Sequence, residues 1–428
     1  MVVFPWLLLL HSLYRMRLLF KIIFLSILSV CLTGCASLGK GMVEAYLEKQ
    51  EAEDTRLCEI WGKPFDGLAP YLNNHSGKMK ILMVHGVGDH LPGYSTQFVE
   101  KLAQELDLPV MSAQKKNITL TSIYDNKKNL GNLSIVRLLS KDRSKELMFY
   151  ELAWSAITAQ QKAVLAYDNS GEYSFRRAEI NNLMKKFSND TGPDPLIYLG
   201  ESHEDILVSF EQAFCWMIKS DWQNLPDGVS QACAFNKGGL AKNLIADQYA
   251  VVSHSLGSRI VIDGVQRIAA RIERRDLDFK EALKHKKIPI YMMSNQLPML
   301  QLGQKLPEVS NQKQSYCQPG GEKYEKRVLA STPIIAFSDP NDLLSYAIPN
   351  GFVEKYLDSR LCTDVTNINI NVAKIINAFS FGKVANPLDA HIGYDTDDRV
   401  VALIAKGIGN GRTAKVVKER CRWVETID

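Results

Sequence analysis

Several chemistries are missing from this sequence. It has no Gly-rich loop with a following Lys of the kind that cradles phosphates, which argues against nucleotide chemistry. It has no EF-hand spacing, and the six cysteines beyond residue 35 show no zinc-like spacing. No basic stripe marks a nucleic-acid surface. Removing residues 1–34, with Arg15, Arg17 and Lys21, leaves 48 basic against 47 acidic residues, so the body is close to neutral. There is no internal repeat and no low-complexity tract, which excludes solenoids and long disordered arrays.

The rest is ordinary globular material. With 46% apolar and 23% charged residues over 428 positions, the chain can build one large core, with or without a cap. Its N-terminus is more distinctive. Residues 22–34 (IIFLSILSVCLTG) are uncharged and mostly apolar, and they follow Arg17 and Lys21. The run is shorter than the roughly 20 residues needed to span a bilayer and fits the apolar region of a secretory signal. A second apolar stretch, residues 1–14, lies upstream, and a start at Met16 would give a compact signal.

Leu32-Thr33-Gly34-Cys35 resembles the lipobox of bacterial lipoproteins. The resemblance implies cleavage after residue 34 and a diacylglycerol on Cys35. No Asp follows Cys35, only Ala36 and Ser37, which in that family implies an outer-membrane address. The expected place is thus the bacterial cell envelope, facing periplasm or surface. Residues 35–78 then read as the lipidated Cys with a tether and lead-in, helical near 41–55. Six cysteines remain in the body: Cys58, Cys215, Cys233, Cys317, Cys362 and Cys421. In an exported chain they can form three disulfides, and Cys215 with Cys233, flanking one polar loop, is the best local pair.

Short apolar runs predict strands at 79–85, 117–123, 146–153, 248–253, 288–294 and 332–338, with a weaker one at 366–372. Helical periodicity marks 94–107, 205–219, 256–272 and 398–406. Alternation of the two predicts an α/β protein with a doubly wound, mostly parallel sheet over 79–428. Residues 155–245 break the pattern with helical segments between polar loops and are expected to form a mainly helical insertion or cap.

Ser253-His254-Ser255-Leu256-Gly257 follows one predicted strand and opens a helix. It resembles the G-x-S-x-G nucleophile elbow of α/β hydrolases, with Ser253 in place of the first Gly. Small residues there let strand and helix approach around a strained Ser; a plain helix-capping turn would use Ser255 equally well. His85-Gly86-Val87-Gly88-Asp89 follows an earlier strand and resembles the oxyanion loop of the same family. The resemblance implies an oxyanion hole made by the amides of Leu256 and Val87, with Gly86 and Gly88 allowing the turn.

The family order is Ser, then acid, then His. Only His285 and His391 follow Ser255. His285 lies in a basic, solvated segment ahead of every suitable acid, which leaves His391 as the base. The strand 332–338 runs into Asp339-Pro340-Asn341-Asp342-Leu343-Leu344, so the acid is Asp342, with Asp339 as the alternative. His254 is open between a site role and packing. Asn295 and Gln296 either bind substrate or end a strand, and Asp395, Asp397 and Asp398 read as an acidic helix start rather than a cation site.

The resemblance spans residues 79–408, least well over 155–245, and implies an esterase- or lipase-like serine hydrolase. It implies no metal or organic cofactor. The expected partners are a small-molecule or lipid ester substrate and, through the anchor, a membrane. Two other readings of the same residues are a non-catalytic binding module of this fold and a Ser-dependent acyltransferase or peptidase.

Overall fold

The computed structural model describes residues 56–424 apart from 74–77, 113, 126, 170–176, 236–239, 273–276, 378–382 and 410. The expected signal, the helix near 41–55, Met16 and Cys35 lie outside the described residues. The larger of two compact units comprises residues 56–374 and 385–428. The other comprises residues 1–55 and 375–384.

Eleven stretches of the main unit before its C-terminal part are extended: β1 (Cys58–Gly62), β2 (Lys78–Val84), β3 (Val110–Met111), β4 (Lys116–Thr121), β5 (Asn129–Leu139), β6 (Glu146–Ala153), β7 (Val229–Gln231), β8 (Gln248–His254), β9 (Ile290–Met293), β10 (Thr332–Ser338) and β11 (Thr363–Ile370). A separate pair joins β12 (Ile375–Asn377) to β13 (Lys383–Ala385), and β14 (Cys421–Val424) is the last strand among the described residues. All but the β12–β13 pair form one 12-stranded sheet in the order β14-β1-β11-β10-β9-β8-β2-β6-β5-β4-β7, with β3 on β5. From β11 to β6 every neighbour is parallel. Antiparallel pairing is confined to the flanks, at β1–β11 and around β5.

The central strands read as near-continuous apolar runs because both their faces are covered. In β8, Tyr249 and Val251 point into one core and Ala250 and Val252 into the other, the two-residue period of a strand. Five helices position the site: α1 (Thr96–Glu105), α2 (His203–Lys219), α3 (Gly257–Ile272), α4 (Pro387–Ile392) and α5 (Asp398–Lys406). Helices α2 and α3 fill the first core, α1 and α5 the second. The sheet therefore carries helices on both faces, the arrangement of an α/β protein.

Two expectations need correction. Residues 155–245 are largely helical, with Ala159–Lys162, Glu179–Thr191, Pro193–Leu199 and Leu240–Ala246 beside α2. Yet α2 belongs to the main core and not to a cap. Residues Ile206, Leu207 and Ser209–Ile218 are all buried, as expected of a helix that is apolar nearly all round. Its Glu211 is neutralised by Arg267 and Arg271, and its Gln212 binds the backbone of Cys233. Likewise the lead-in is not all tether, because β1 joins the sheet between β11 and β14. Only alternate residues of β1, Cys58 and Ile60, are buried, so no continuous apolar run betrays it.

All six body cysteines are paired, as Cys58–Cys421, Cys215–Cys233 and Cys317–Cys362. Among the described residues no helix is long and apolar enough to cross a membrane.

Candidate active site

Strand β8 ends at His254 and α3 begins at Gly257, so Ser255 and Leu256 alone make the turn between them. Ser255 takes φ +56°, in the left-handed region that costs a side-chain-bearing residue about 1 kcal/mol or more. Its surroundings hold it there. The Ser255 N–H donates to Met293 O on neighbouring β9 at 2.9 Å, and its carbonyl accepts from the N–H of Ser258 at 3.0 Å. A Cβ on Gly257 would lie 2.4 Å from Val84 O, so glycine is what lets α3 start this close to β2. A Cβ on Gly86 would lie 2.5 Å from the Ser255 Cβ. These two glycines close the strand, the helix and the loop after β2 around one serine. Ser253, at the position of the motif's first Gly, is fully buried and its Oγ has no hydrogen-bond partner among the described residues.

His391 is the fifth residue of α4, whose start is capped by the Asn386 side chain. Its Nε2 lies 3.1 Å from Ser255 Oγ and its Nδ1 lies 2.9 Å from Asp342 Oδ1. The network assigns the tautomer: Nδ1–H donates to the carboxylate, and Nε2 is left to accept the Ser255 hydroxyl proton. Asp342 is buried in the loop beyond β10. Its Oδ1 also accepts from the Leu344 N–H at 3.0 Å. Its Oδ2 accepts from Ser294 Oγ at 2.7 Å and from the Tyr394 hydroxyl at 3.3 Å. Burial pushes this carboxyl up, but the bonds and charge of His391, with Ser294 and the Leu344 amide, outweigh it and hold the group below the usual carboxylate range.

Asp339, the alternative acid, is spent elsewhere. Its Oδ1 accepts from Asn341, and its Oδ2 accepts from the Val372 and Ala373 amides at 2.7 and 3.1 Å. It ties the loop after β10 to the chain leaving β11. Of the two candidates, Asp342 is the one bonded to His391.

His254 braces the base from behind. Its Nε2–H donates to the His391 carbonyl at 2.8 Å, and the two rings meet edge to face at 5.2 Å. Burial and the nearby His391 lower its pKa to about 3, so it stays neutral. His85 is locked in the opposite tautomer to His254, with the proton on Nδ1 as in His391. Its Nδ1–H donates to Gly86 O at 2.8 Å, its Nε2 accepts from the Trp154 N–H at 3.1 Å, and its ring stacks on Trp154. Burial first, then the neighbouring His90, hold it well below the ordinary histidine range. Among the described residues neither the Leu256 N–H, next in the chain to Ser255, nor the Val87 N–H, next to Gly86, has an acceptor.

Sequence reasoning missed Ser294 and Tyr394. Ser294, at φ +48° just beyond β9, lies 3.0 Å from His391 Nδ1 as well as touching Asp342. Nothing in its local pattern sets it apart from any serine at a strand end. Tyr394 follows His391 by three residues and accepts from the Asp339 N–H at 2.6 Å, so it links both aspartates.

No protein-family model, curated protein or solved structure matches this chain. The site must be judged on its own geometry.

The remaining candidates have structural partners. Asn295 Nδ2 donates to Tyr346 O at 2.7 Å and steadies the loop carrying Asp342. The Gln296 N–H donates to Ser258 Oγ. His285 is exposed and pairs with Glu281. Asp397 caps α5 through Oδ1 and pairs with Arg399, and Asp398 pairs with Lys101. A cavity of about 490 Å³ runs beside β1 and β11, lined by Trp61, Lys313, Asn350, Asn367 and their neighbours, and none of the Ser255, His391 or Asp342 side chains lines it.

Proposed function

We propose that this chain is a serine hydrolase of the α/β-hydrolase class, cleaving carboxylic esters and held to the bacterial envelope by a lipid on Cys35. The observation that carries the reading is one imidazole spanning Ser255 Oγ at 3.1 Å and Asp342 Oδ1 at 2.9 Å, with the serine on a left-handed strand-to-helix turn. The chain order Ser255, Asp342, His391 is that of α/β hydrolases. Three disulfides suit an oxidising compartment, in keeping with export.

The chemistry follows from the hydrogen bonds. His391 Nε2 takes the proton from Ser255 Oγ as the oxygen attacks the ester carbonyl. The free Val87 and Leu256 amides receive the developing oxyanion. Asp342 stabilises the imidazolium and keeps Nε2 aimed at the serine. His391 then protonates the leaving alcohol, and the acyl group stays on Ser255 until water, activated by His391, releases it as a carboxylic acid.

A fluorophosphonate probe tests this directly, because it reacts with activated serines and spares ordinary hydroxyls. The expected result is one adduct per chain, located on Ser255 by mass spectrometry and lost in His391→Ala. A folded wild-type protein that stays unlabelled overturns the reading.

A further inference from the structure

The loop after β2 must hold the Val87 amide toward Ser255, yet it carries two glycines and has little stiffness of its own. Its polar atoms are tied one by one. The His85 imidazole donates to Gly86 O, the His90 Nε2–H donates to Val87 O at 3.1 Å, and the His90 N–H donates to Ser155 Oγ at 3.2 Å. The Gly88 peptide, at φ +94°, has the tie that comes from furthest along the chain. Its N–H donates to Asp194 Oδ2 at 2.6 Å, and Asp194 stands 106 residues further on, in the helix Pro193–Leu199.

Asp194 is fully buried. A carboxylate in that place needs a counter-charge. Lys162 supplies it, with Nζ 3.5 Å from Asp194, 2.7 Å from Asp89 Oδ1 and 3.2 Å from Asp190 Oδ1. Asp89 belongs to the loop itself. One lysine thus joins the loop's far end to the residues 190–194 that cover it. In the same corner the Gly88 position faces Asp190 and Thr191, at 3.3 and 3.6 Å from where a Cβ would sit.

We propose that Asp194, held by Lys162, is a positioning residue: through the Gly88 N–H it fixes the Val87–Gly88 peptide, and with it the Val87 backbone torsions that set the preceding Gly86–Val87 peptide, so that the Val87 N–H is presented to the oxyanion. The proposal rests on the serine-hydrolase reading. It makes Lys162 and the residues 190–194 part of the positioning apparatus and not merely a cover. No proton passes through Asp194, and its effect on the reaction runs wholly through the backbone of the loop.

The test measures the second-order rate constant for fluorophosphonate labelling of Ser255, and kcat and KM for a p-nitrophenyl ester, in the full-length wild type, Asp194→Ala and Asp194→Asn. Rates are expressed per reactive site, and thermal melting is followed alongside. Asp194→Ala leaves the Gly88 amide without its acceptor. It is expected to lower labelling and kcat about 10- to 100-fold with KM nearly unchanged, somewhat less than the loss on deleting an oxyanion donor outright. Asp194→Asn keeps a carbonyl for Gly88 and should fall between the two. A merely structural role would lower the melting temperature and the reactive fraction but leave the per-site rates alone. Folded Asp194→Ala that labels at the wild-type rate overturns the proposal. If that variant fails to fold, an Asp194→Asn with wild-type kcat overturns it instead. A wild type that does not label at all overturns the serine-hydrolase reading, and this one with it.

Discussion

The carboxylate Asp342 makes its consequences most calculable in the substitution Asp342→Asn. In the chymotrypsin-type triad the equivalent change costs about 10⁴ in kcat, because the new amide donates to the histidine and selects the wrong tautomer. Here the surroundings oppose that outcome. Oδ1 faces both His391 Nδ1 and the Leu344 N–H, and a backbone amide cannot reverse its polarity. Oδ2 faces two hydroxyls, Ser294 and Tyr394, which can rotate to accept. Tyr394 has a second outlet for its proton in Ser345 Oγ at 3.3 Å. An asparagine is therefore expected to place its carbonyl at Oδ1 and its NH2 at Oδ2, and His391 keeps its working tautomer. What is lost is the charge. Exchanging a charged acceptor for a neutral one, and removing the counter-ion of the imidazolium, costs about 2–4 kcal/mol in the transition state. That corresponds to roughly 30- to 1,000-fold in kcat. Asp342→Ala also loses the orientation and should fall by about 10⁴. The assay is steady-state hydrolysis of a p-nitrophenyl ester by both variants, with labelling to count reactive sites. Equal losses in Asn and Ala would refute the argument that Leu344 sets the amide's direction.

Two further perturbations separate local effects from global ones. Gly86→Ala puts a methyl against Ser255 and the His254 carbonyl, so its cost should fall mainly on labelling rate, whereas Gly257→Ala meets the backbone oxygens of Val84 and His85 and should prevent folding; circular dichroism with labelling distinguishes the two. The pH dependence of stability is equally specific. With a folded pKa near 3 against an ordinary 6.5, His254 binds its proton more readily in the unfolded chain, so its contribution is complete above pH 6.5 and lost as pH falls toward 3. Urea midpoints measured across that window should decline less steeply in His254→Gln, and parallel curves would disprove the assignment.

The parallel centre was readable from the chain because double burial leaves its mark residue by residue. Strands β6 and β10 fall where MFYEL and PIIAF predict them, and helices α1, α2, α3 and α5 lie within two residues of their periodic patterns. The flanks were readable only in part: β4 falls where 117–123 predicts it, but β1, β5, β7 and β14 were not foreseen. Gly131 breaks the apolar pattern of β5, and β1 and β14 are short segments at one side of the sheet whose pairing joins residues 363 apart, which no local pattern encodes. The same division holds in the site. Ser255, His391 and the choice of two aspartates could be taken from motif and chain order. The preference for Asp342 depends on what surrounds Asp339, and the roles of Ser294, Tyr394 and Asp194 depend on which loops meet in space.

The bond between Cys58 and Cys421 turns the described body into a covalent ring, with β1 and β14 lying side by side where it closes. Tension applied between the residues before Cys58 and those after Val424 would peel at most Arg422–Val424 from β1 and then run through that one bond, bypassing the rest of the sheet. A protein held by its N-terminal end could thus be pulled by its other end without the strands between Cys58 and Cys421 being loaded. A nick anywhere between residues 58 and 421 would leave two pieces still joined to each other.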